Sequence, residues 1–187
     1  MTSYTPRLQG NPGFFSALQL VKSQSLEEAV QYVWQTIIST WFNSLDGYTV
    51  SYKASTLANN NEPDGIAIRV MELAPKIELS TDFAERQILL VQCNRPSSDT
   101  PAGWDGIVEN RFRDDLSQTL NDSEKLYGAV AIGTKVRFYR FDGKAPYNQQ
   151  LTQLHAGAID MNAPNGITEV ENMMNYVKAN GWQWAST

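Results

Sequence analysis

Cysteine and histidine are nearly absent from this sequence of 187 residues, which holds one of each, Cys93 and His155. A single cysteine excludes an internal disulfide framework and a zinc site built from several cysteines. It also favours a reducing compartment over an extracellular one. His155 stands in a loop-like stretch with no serine or cysteine at a spacing typical of a triad, so the sequence does not indicate a histidine-based hydrolase.

Long apolar runs are also missing. No stretch approaches the roughly 20 apolar residues that a membrane-spanning helix needs. Residues 1–15 lack the basic start, the apolar run and the small-residue cleavage site of a secretory signal. We therefore expect a soluble protein of the cytoplasm or nucleus, one that is not secreted and has no membrane partner.

Positive charge is scarce as well. The chain has 15 Lys and Arg against 20 Asp and Glu, which gives a formal net charge of −5. Proteins that hold nucleic acid by its phosphates usually present a basic surface, and here cations cluster only at Arg111, Arg113 and within 135–140. Nucleic acid stays open as a partner but is not favoured, and a protein or small-molecule ligand stays open beside it.

The sequence does contain enough apolar material for one folded domain, since 42% of its residues are hydrophobic. The periodicity predicts a helix from Ser25, strands at 48–52, 66–70 and 88–91, a helix over 106–121, strands at 127–132 and 136–141, and a helix from Thr168 to Gly181. This order is typical of an α/β domain with a mixed β-sheet flanked by helices. We expect residues 1–24 to be an N-terminal lead-in and residues 25–187 to form the single domain.

Local chemistry adds two expectations about helix starts and loops. Ser25 and Thr168 are each followed by a glutamate three residues later, and this spacing predicts a capping box at the start of both helices. The Pro/Ser/Gly-rich segment 96–106 is predicted to be a loop that carries Trp104.

A group of polar residues stands at the ends of the second and third predicted strands. Asp64 opens one strand, and Gln92, Cys93 and Asn94 close the other. If the two strands pair as a hairpin, similar chain lengths on both sides of the connection bring these ends together. Because side chains alternate along a strand, Gln92 and Asn94 share one face, which Glu62 would also join, and Cys93 lies on the other. A simple turn role for Asp64 is the alternative.

This arrangement resembles the PD-(D/E)XK, or restriction-endonuclease-like, nuclease superfamily. The matching string is Pro63-Asp64, an alternating strand, and then Ile-Leu-Leu-Val-Gln92-Cys93-Asn94-Arg95. The resemblance spans roughly residues 25–141 and includes the order helix, three strands, helix, strand. In that family an aspartate and a Glu-x-Lys on adjacent strands bind a divalent metal and activate water for phosphodiester cleavage.

The resemblance implies a role for each position. Asp64 matches a metal-binding aspartate, and Gln92 stands where the family has its acidic residue. The backbone carbonyl of Cys93 would be a further ligand, and Glu62 shares the same face. Asn94 occupies the place of the catalytic lysine, so the catalytic positions are Asp64, Gln92 and Asn94. The cofactor that this implies is weakly bound Mg²⁺ or Mn²⁺, and no other.

Asparagine in place of lysine changes the expected chemistry. A neutral amide cannot stabilise developing negative charge at a phosphate as an ammonium does. Glutamine in the acidic position weakens the attraction for Mg²⁺, a hard cation that prefers carboxylate oxygen. Lys53 or Lys135 could supply the missing charge from a neighbouring strand, whereas Arg95 should point to the opposite face.

We therefore expect a nuclease-fold protein with a degenerate site, catalytically inactive, that binds a partner or ligand in the former catalytic cleft. One alternative is an active Mg/Mn-dependent nuclease with a rearranged site. Another is a fold recruited for a different small-molecule reaction, because a fold does not fix its chemistry. Aromatic residues in 139–147 and at Trp182 and Trp184 would also suit a homodimer contact.

Overall fold

A computed structural model of the chain describes residues 5–55, 65–76 and 81–187. The helices of the described residues are α1 (Pro12–Gln19), α2 (Glu27–Trp41), α3 (Pro101–Gly106), α4 (Arg113–Ser117) and α5 (Gly166–Ser186), with a π-helical segment at Ile107–Phe112 between α3 and α4. The strands are β1 (Tyr48–Ser55), β2 (Gly65–Pro75), β3 (Phe83–Asn94), β4 (Lys125–Ile132), β5 (Lys135–Asp142), β6 (Leu151–Gln153) and β7 (Ile159–Asp160).

The strands of the described part form one open, mixed sheet of seven strands in the order β1-β2-β3-β4-β5-β6, with β7 also paired to β5. Neighbouring strands run antiparallel except β3 and β4, which are parallel. A parallel pair needs a crossover connection, and the helices from α3 to α4 provide it. The chain is therefore an α/β protein with a mixed sheet flanked by helices, as the sequence predicts.

Each face of the sheet is covered by its own helical layer. On one face α1, α2 and α5 enclose the larger core, to which Trp34, Ile68 and Cys93 belong. On the other face the α3–α4 layer packs a smaller core around Leu90 and Phe112. β3 lies under both layers, and residues 88–94 of this strand are buried without interruption, as expected of a central strand.

Both predicted capping boxes are wrong. α2 begins at Glu27, and its cap residue Leu26 has no polar side-chain atom to hydrogen-bond the helix end. The hydroxyl of Ser25 accepts from the backbone N–H of Lys22 instead. α5 begins at Gly166, and Glu171 is fully buried and accepts from the backbone of the N-terminal segment. A glutamate with a better partner elsewhere does not fold back onto its own helix end.

Two other boundaries differ from the prediction. Segment 96–106 is not a plain loop, because Pro101 starts α3 with the Thr100 hydroxyl accepting from the backbone N–H of Gly103. α5 does not end at Gly181 but continues to Ser186. Gly181 instead allows α5 to pack closely against β3, because a Cβ at this position would lie 3.0 Å from the Cβ of Ile88.

The segment 1–24 includes structure of its own in its described part. α1 lies within it, and Leu8, Phe14 and Leu18 are buried members of the larger core. The boundary between a lead-in and the domain stays a prediction. Among the helices that the structure describes, none is long and apolar enough to cross a membrane.

Candidate functional site

The start of β2 lies beside the end of β3. Ile66 is paired with Cys93, and Ala67 with Gln92. A Cβ placed on Gly65 would be 3.1 Å from the side-chain oxygen of Asn94. The hairpin pairing that the sequence predicts is therefore present. Asp64 and Glu62 lie outside the described residues, so their place in the site stays a prediction.

The three residues that end β3 divide between the two faces of the sheet. Gln92 and Asn94 face the α3–α4 layer, where both are buried. Cys93 faces the larger core and is fully buried there. Burial raises the pKa of the Cys93 thiol, because a thiolate would be desolvated. The thiol is therefore a neutral core group and not a nucleophile.

Asn94 holds two strands together. Its amide nitrogen donates to the backbone oxygen of Gln92 at 3.3 Å and to that of Ala131 on β4 at 3.1 Å. The side chain is 2% exposed. Both amide protons are thus engaged with the backbone, and the position that the family resemblance gives to lysine carries a structural amide without charge.

Gln92 connects the strand end to the helical layer. Its amide nitrogen donates to a carboxylate oxygen of Asp115 at 3.4 Å, and the side chain has no exposed surface. Its amide oxygen accepts no hydrogen bond within the described part of the chain. Because a buried acceptor without a donor is destabilising, this oxygen is a point where a ligand or a water would be held.

Arg111 and Asp115 complete the described part of the site, and the sequence argument did not assign either to it. Arg111 is 4% exposed and Asp115 is 7% exposed. One guanidinium nitrogen of Arg111 would lie 2.8 Å from a Cβ at Gly65, so the cation occupies the space that a side chain on β2 would fill. A guanidinium therefore stands beside Asn94 at the strand end.

A sequence signal for these two residues exists. Val108, Phe112 and Leu116 form the apolar stripe of this helical layer, and all three are buried. Arg111 and Asp115 fall one position before Phe112 and Leu116, on the inward side of the helix. Charged residues next to the apolar stripe of a buried helix need partners, and that need marks them as candidates for a site.

A small cleft opens next to this group. It has a volume of about 160 Å³. Its lining residues are Asn94, Ser98, Ala102, Gly103, Gly106, Ile107 and Arg111. We call it the strand-end cleft. Since one water occupies about 30 Å³ of liquid, the cleft has room for a group the size of a phosphate and a few waters.

The three other cations considered from the sequence have partners elsewhere. The guanidinium of Arg95 forms an ion pair with Glu27 at 2.9 Å. The ammonium of Lys53 donates to Gln118 at 3.2 Å, and that of Lys135 lies 2.8 Å from a carboxylate oxygen of Asp99. The cation that the described structure brings to the cleft is Arg111.

Of the described residues, no three of the types His, Cys, Asp and Glu lie close enough to hold a metal ion. Asp115 brings one carboxylate to Gln92, whereas Mg²⁺ prefers several oxygen ligands in octahedral geometry. Arg111 lies in the same cleft and is already engaged in a further interaction. Because Asp64 and Glu62 lie outside the described residues, a Mg²⁺ or Mn²⁺ site stays a prediction.

Comparisons of the chain with protein-family models, with curated proteins and with solved structures find no match.

Proposed function

We propose that this chain is a nuclease-like domain that no longer cleaves phosphodiester bonds and that binds a ligand with an oxyanion group in the strand-end cleft. The order helix, three strands, helix, strand in the described fold supports a restriction-endonuclease-like core. The resemblance of Asp64 and residues 92–94 to the PD-(D/E)XK motif supports the same assignment.

The observation that carries the loss of catalysis is the bonding of Asn94. Its amide nitrogen is committed to the backbone oxygens of Gln92 and Ala131. It cannot supply the positive charge that stabilises a phosphorane-like transition state, nor can it take a proton from water. Arg111 does supply charge, but a guanidinium stays protonated at any ordinary pH and so cannot act as a base.

The guanidinium of Arg111 in the lining of the cleft supports oxyanion binding, in addition to the interaction that it already makes within the chain. A guanidinium presents its donors in a planar fork that matches the oxygens of a carboxylate or phosphate. Its low exposure makes each such hydrogen bond stronger than one at the surface. The overall charge of −5 argues against broad, sequence-independent binding of nucleic acid, so the ligand would be held at this one point rather than along a basic surface.

The first test measures cleavage by the wild type and two variants. Wild type, Asp64→Ala and Asn94→Lys are incubated with single- and double-stranded DNA and RNA in Mg²⁺ or Mn²⁺. We expect no cleavage by the wild type. Cleavage that appears in Asn94→Lys would support both the ancestry of the fold and the role of the missing lysine. Wild-type cleavage that Asp64→Ala abolishes would overturn the proposal.

Binding is measured by calorimetry with inorganic phosphate and with short DNA and RNA oligonucleotides. Arg111→Gln should weaken binding at least tenfold, because it removes charge-assisted hydrogen bonds. Arg111→Lys keeps the charge without the fork and should give an intermediate result. Arg113→Gln is the matched control, since Arg113 is two residues away and pairs with Glu109. Equal binding by Arg111→Gln and Arg113→Gln would contradict the assignment.

A second function deserves a test because of Asp115. The contact between Asp115 and Gln92 brings a carboxylate to the position where the family has its acidic residue, from a helix instead of the strand. This favours an active metal-dependent nuclease with a rearranged site as the runner-up. In that case Asp115→Asn would abolish the wild-type cleavage as fully as Asp64→Ala does, whereas our main proposal predicts no cleavage to lose.

A further inference from the structure

A larger cavity lies on the other side of α3 from the strand-end cleft. Its volume is about 440 Å³. The lining residues are Asp99, Thr100, Pro101, Trp104, Asp105, Lys135, Arg137 and Ala158. We call it the Trp104 cavity. Its lining set has no residue in common with that of the cleft, so a ligand here would be additional to the proposed function.

Part of the charge in the Trp104 cavity is already balanced by the protein. The ammonium of Lys135 lies 2.8 Å from one carboxylate oxygen of Asp99, and the indole nitrogen of Trp104 donates to the other at 2.9 Å. This network closes one wall of the cavity and fixes the Trp104 ring. Lys135 and Asp99 therefore serve as a rigid frame.

Arg137 is held in place near Asp99, whose carboxylate already pairs with Lys135. Its guanidinium lies over the Trp104 ring, 4.3 Å from the ring centre, and this stacking orients its planar fork. Among the described residues it forms no ion pair, and its buried Nε has no hydrogen-bond acceptor.

Asp105 brings the opposite charge to the same cavity. It follows Trp104 on α3, it is exposed, and within the described structure it has no ion pair and no hydrogen bond to its carboxylate. The cavity thus presents one oriented cation and one carboxylate, and neither forms an ion pair within the described structure. The lining also includes apolar surfaces of Pro101, Trp104 and Ala158.

We propose that the Trp104 cavity binds a small zwitterion, of which an α-amino acid is the simplest kind. The carboxylate of the ligand pairs with Arg137, its ammonium pairs with Asp105, and its side chain lies against the apolar surfaces. An anion alone would leave Asp105 opposed to it, and a cation alone would be repelled by Arg137. A zwitterion satisfies both charges, and complementary charge of this kind sets specificity.

The experiment titrates the intact protein with the 20 common amino acids at millimolar concentration. The readout is the NMR signal of the Trp104 indole N–H, which the Asp99 hydrogen bond makes a reporter for this cavity. We expect at least one amino acid to shift this signal with saturation. For the best of them, the matched carboxylic acid without the amine and the matched amine without the carboxylate should each bind at least tenfold more weakly.

Variants separate the two charges. Arg137→Gln and Asp105→Asn should each weaken binding at least tenfold, whereas Arg140→Gln on the same strand and Asp114→Asn on α4 should not change it. Thermal melting confirms that each variant is folded. No saturable shift with any amino acid overturns the proposal. Equal binding of the amine-free acid, together with no effect of Asp105→Asn, overturns it in favour of a simple anion site.

Discussion

Asn94 uses its amide nitrogen to bind the backbone of the sheet. The nitrogen bonds across β3 and β4, and the oxygen faces the space next to Gly65. A lysine in this position would instead extend a mobile ammonium into the cleft and leave the backbone oxygen of Ala131 without this donor. Asn94 therefore links two strands of the sheet, and the positive charge at the strand end comes from Arg111 on the π-helical segment.

The carboxylate of Asp99 gives a pH-dependent prediction at the scale of one residue. Burial alone would raise its pKa, but hydrogen bonds from Lys135 and Trp104 and the nearby charges of Lys135 and Arg137 hold the pKa below its ordinary value. Because the folded pKa is lower than the unfolded one, Asp99 stabilises the fold above the unfolded pKa. This contribution is lost as the pH falls through the folded pKa.

Lys135→Gln removes both the hydrogen bond and the charge by which Lys135 lowers this pKa, and it leaves the effect of burial in place. We expect the pKa of Asp99 to rise, as measured by NMR titration of the side-chain carboxyl carbon. Lys125→Gln is the control, because the Lys125 ammonium lies over Trp184 and away from Asp99. An unchanged Asp99 titration in Lys135→Gln would contradict the frame described for the Trp104 cavity.

At the scale of elements, the π-helical segment packs unusually close to the sheet. The Phe112 ring fills the space over Gly128 on β4, where a Cβ would lie only 2.5 Å from the tip of the ring. Phe112 is fully buried, so the ring has little room to move. This close approach of helix and strand also fixes the turn that carries Arg111 and Asp115.

Gly128→Ala should therefore destabilise the protein by about 1–3 kcal/mol, the usual cost of overpacking a core. The control is Gly106→Ala in α3, where an added Cβ meets nothing within 4 Å. That change should be neutral or stabilise by up to about 1 kcal/mol, since alanine favours a helix. Denaturant unfolding measures both. Equal stability of the two variants would mean that the Phe112 contact does not constrain β4.

The sequence predicts strands better than helix ends, and the reason is physical. Alternation and a continuous apolar run locate β1 to β5 because they reflect which face of the sheet is buried. The start of α2 depends on whether Ser25 bonds to its own helix or to Lys22, and tertiary context decides that. The polar ends of β2 and β3 could be paired by chain length, as the register shows.

The positions of the other site residues, Arg111 and Asp115, could not be predicted from chain length. Arg111 and Asp115 reach Gln92 and Asn94 through the crossover between two parallel strands, and their approach depends on the π-helical segment. Sequence periodicity does not distinguish a π turn from an α turn, because it reports a face and not the rotation of each residue about the axis. The Trp104 cavity could not be predicted from the sequence either. Part of its lining belongs to α3, which lies in the segment predicted to be a loop.

At the scale of the whole molecule, α5 joins the two ends of the described chain. Its buried Glu171 accepts hydrogen bonds from the backbone N–H groups of Arg7, at 2.8 Å, and of Leu8. The Arg7 guanidinium also lies over the ring of Trp41 on α2, 5.6 Å from its centre. Leu8 is fully buried in the larger core. The first described residues are thus attached to two helices of one layer.

Glu171→Ala should destabilise the whole protein because it leaves the buried N–H group of Leu8 and the part-buried N–H group of Arg7 without this acceptor. We expect a loss of about 1–3 kcal/mol. This corresponds to a fall of about 2–12 °C in melting temperature for a domain of this size. Hydrogen exchange should also accelerate at Arg7 and Leu8. Asn172→Ala, at the next and exposed position of the same helix, is the control and should change stability by less than about 0.5 kcal/mol. If both variants have the same melting temperature, the carboxylate of Glu171 does not hold the N-terminal segment. That segment then contributes to the core through Leu8 and α1 alone.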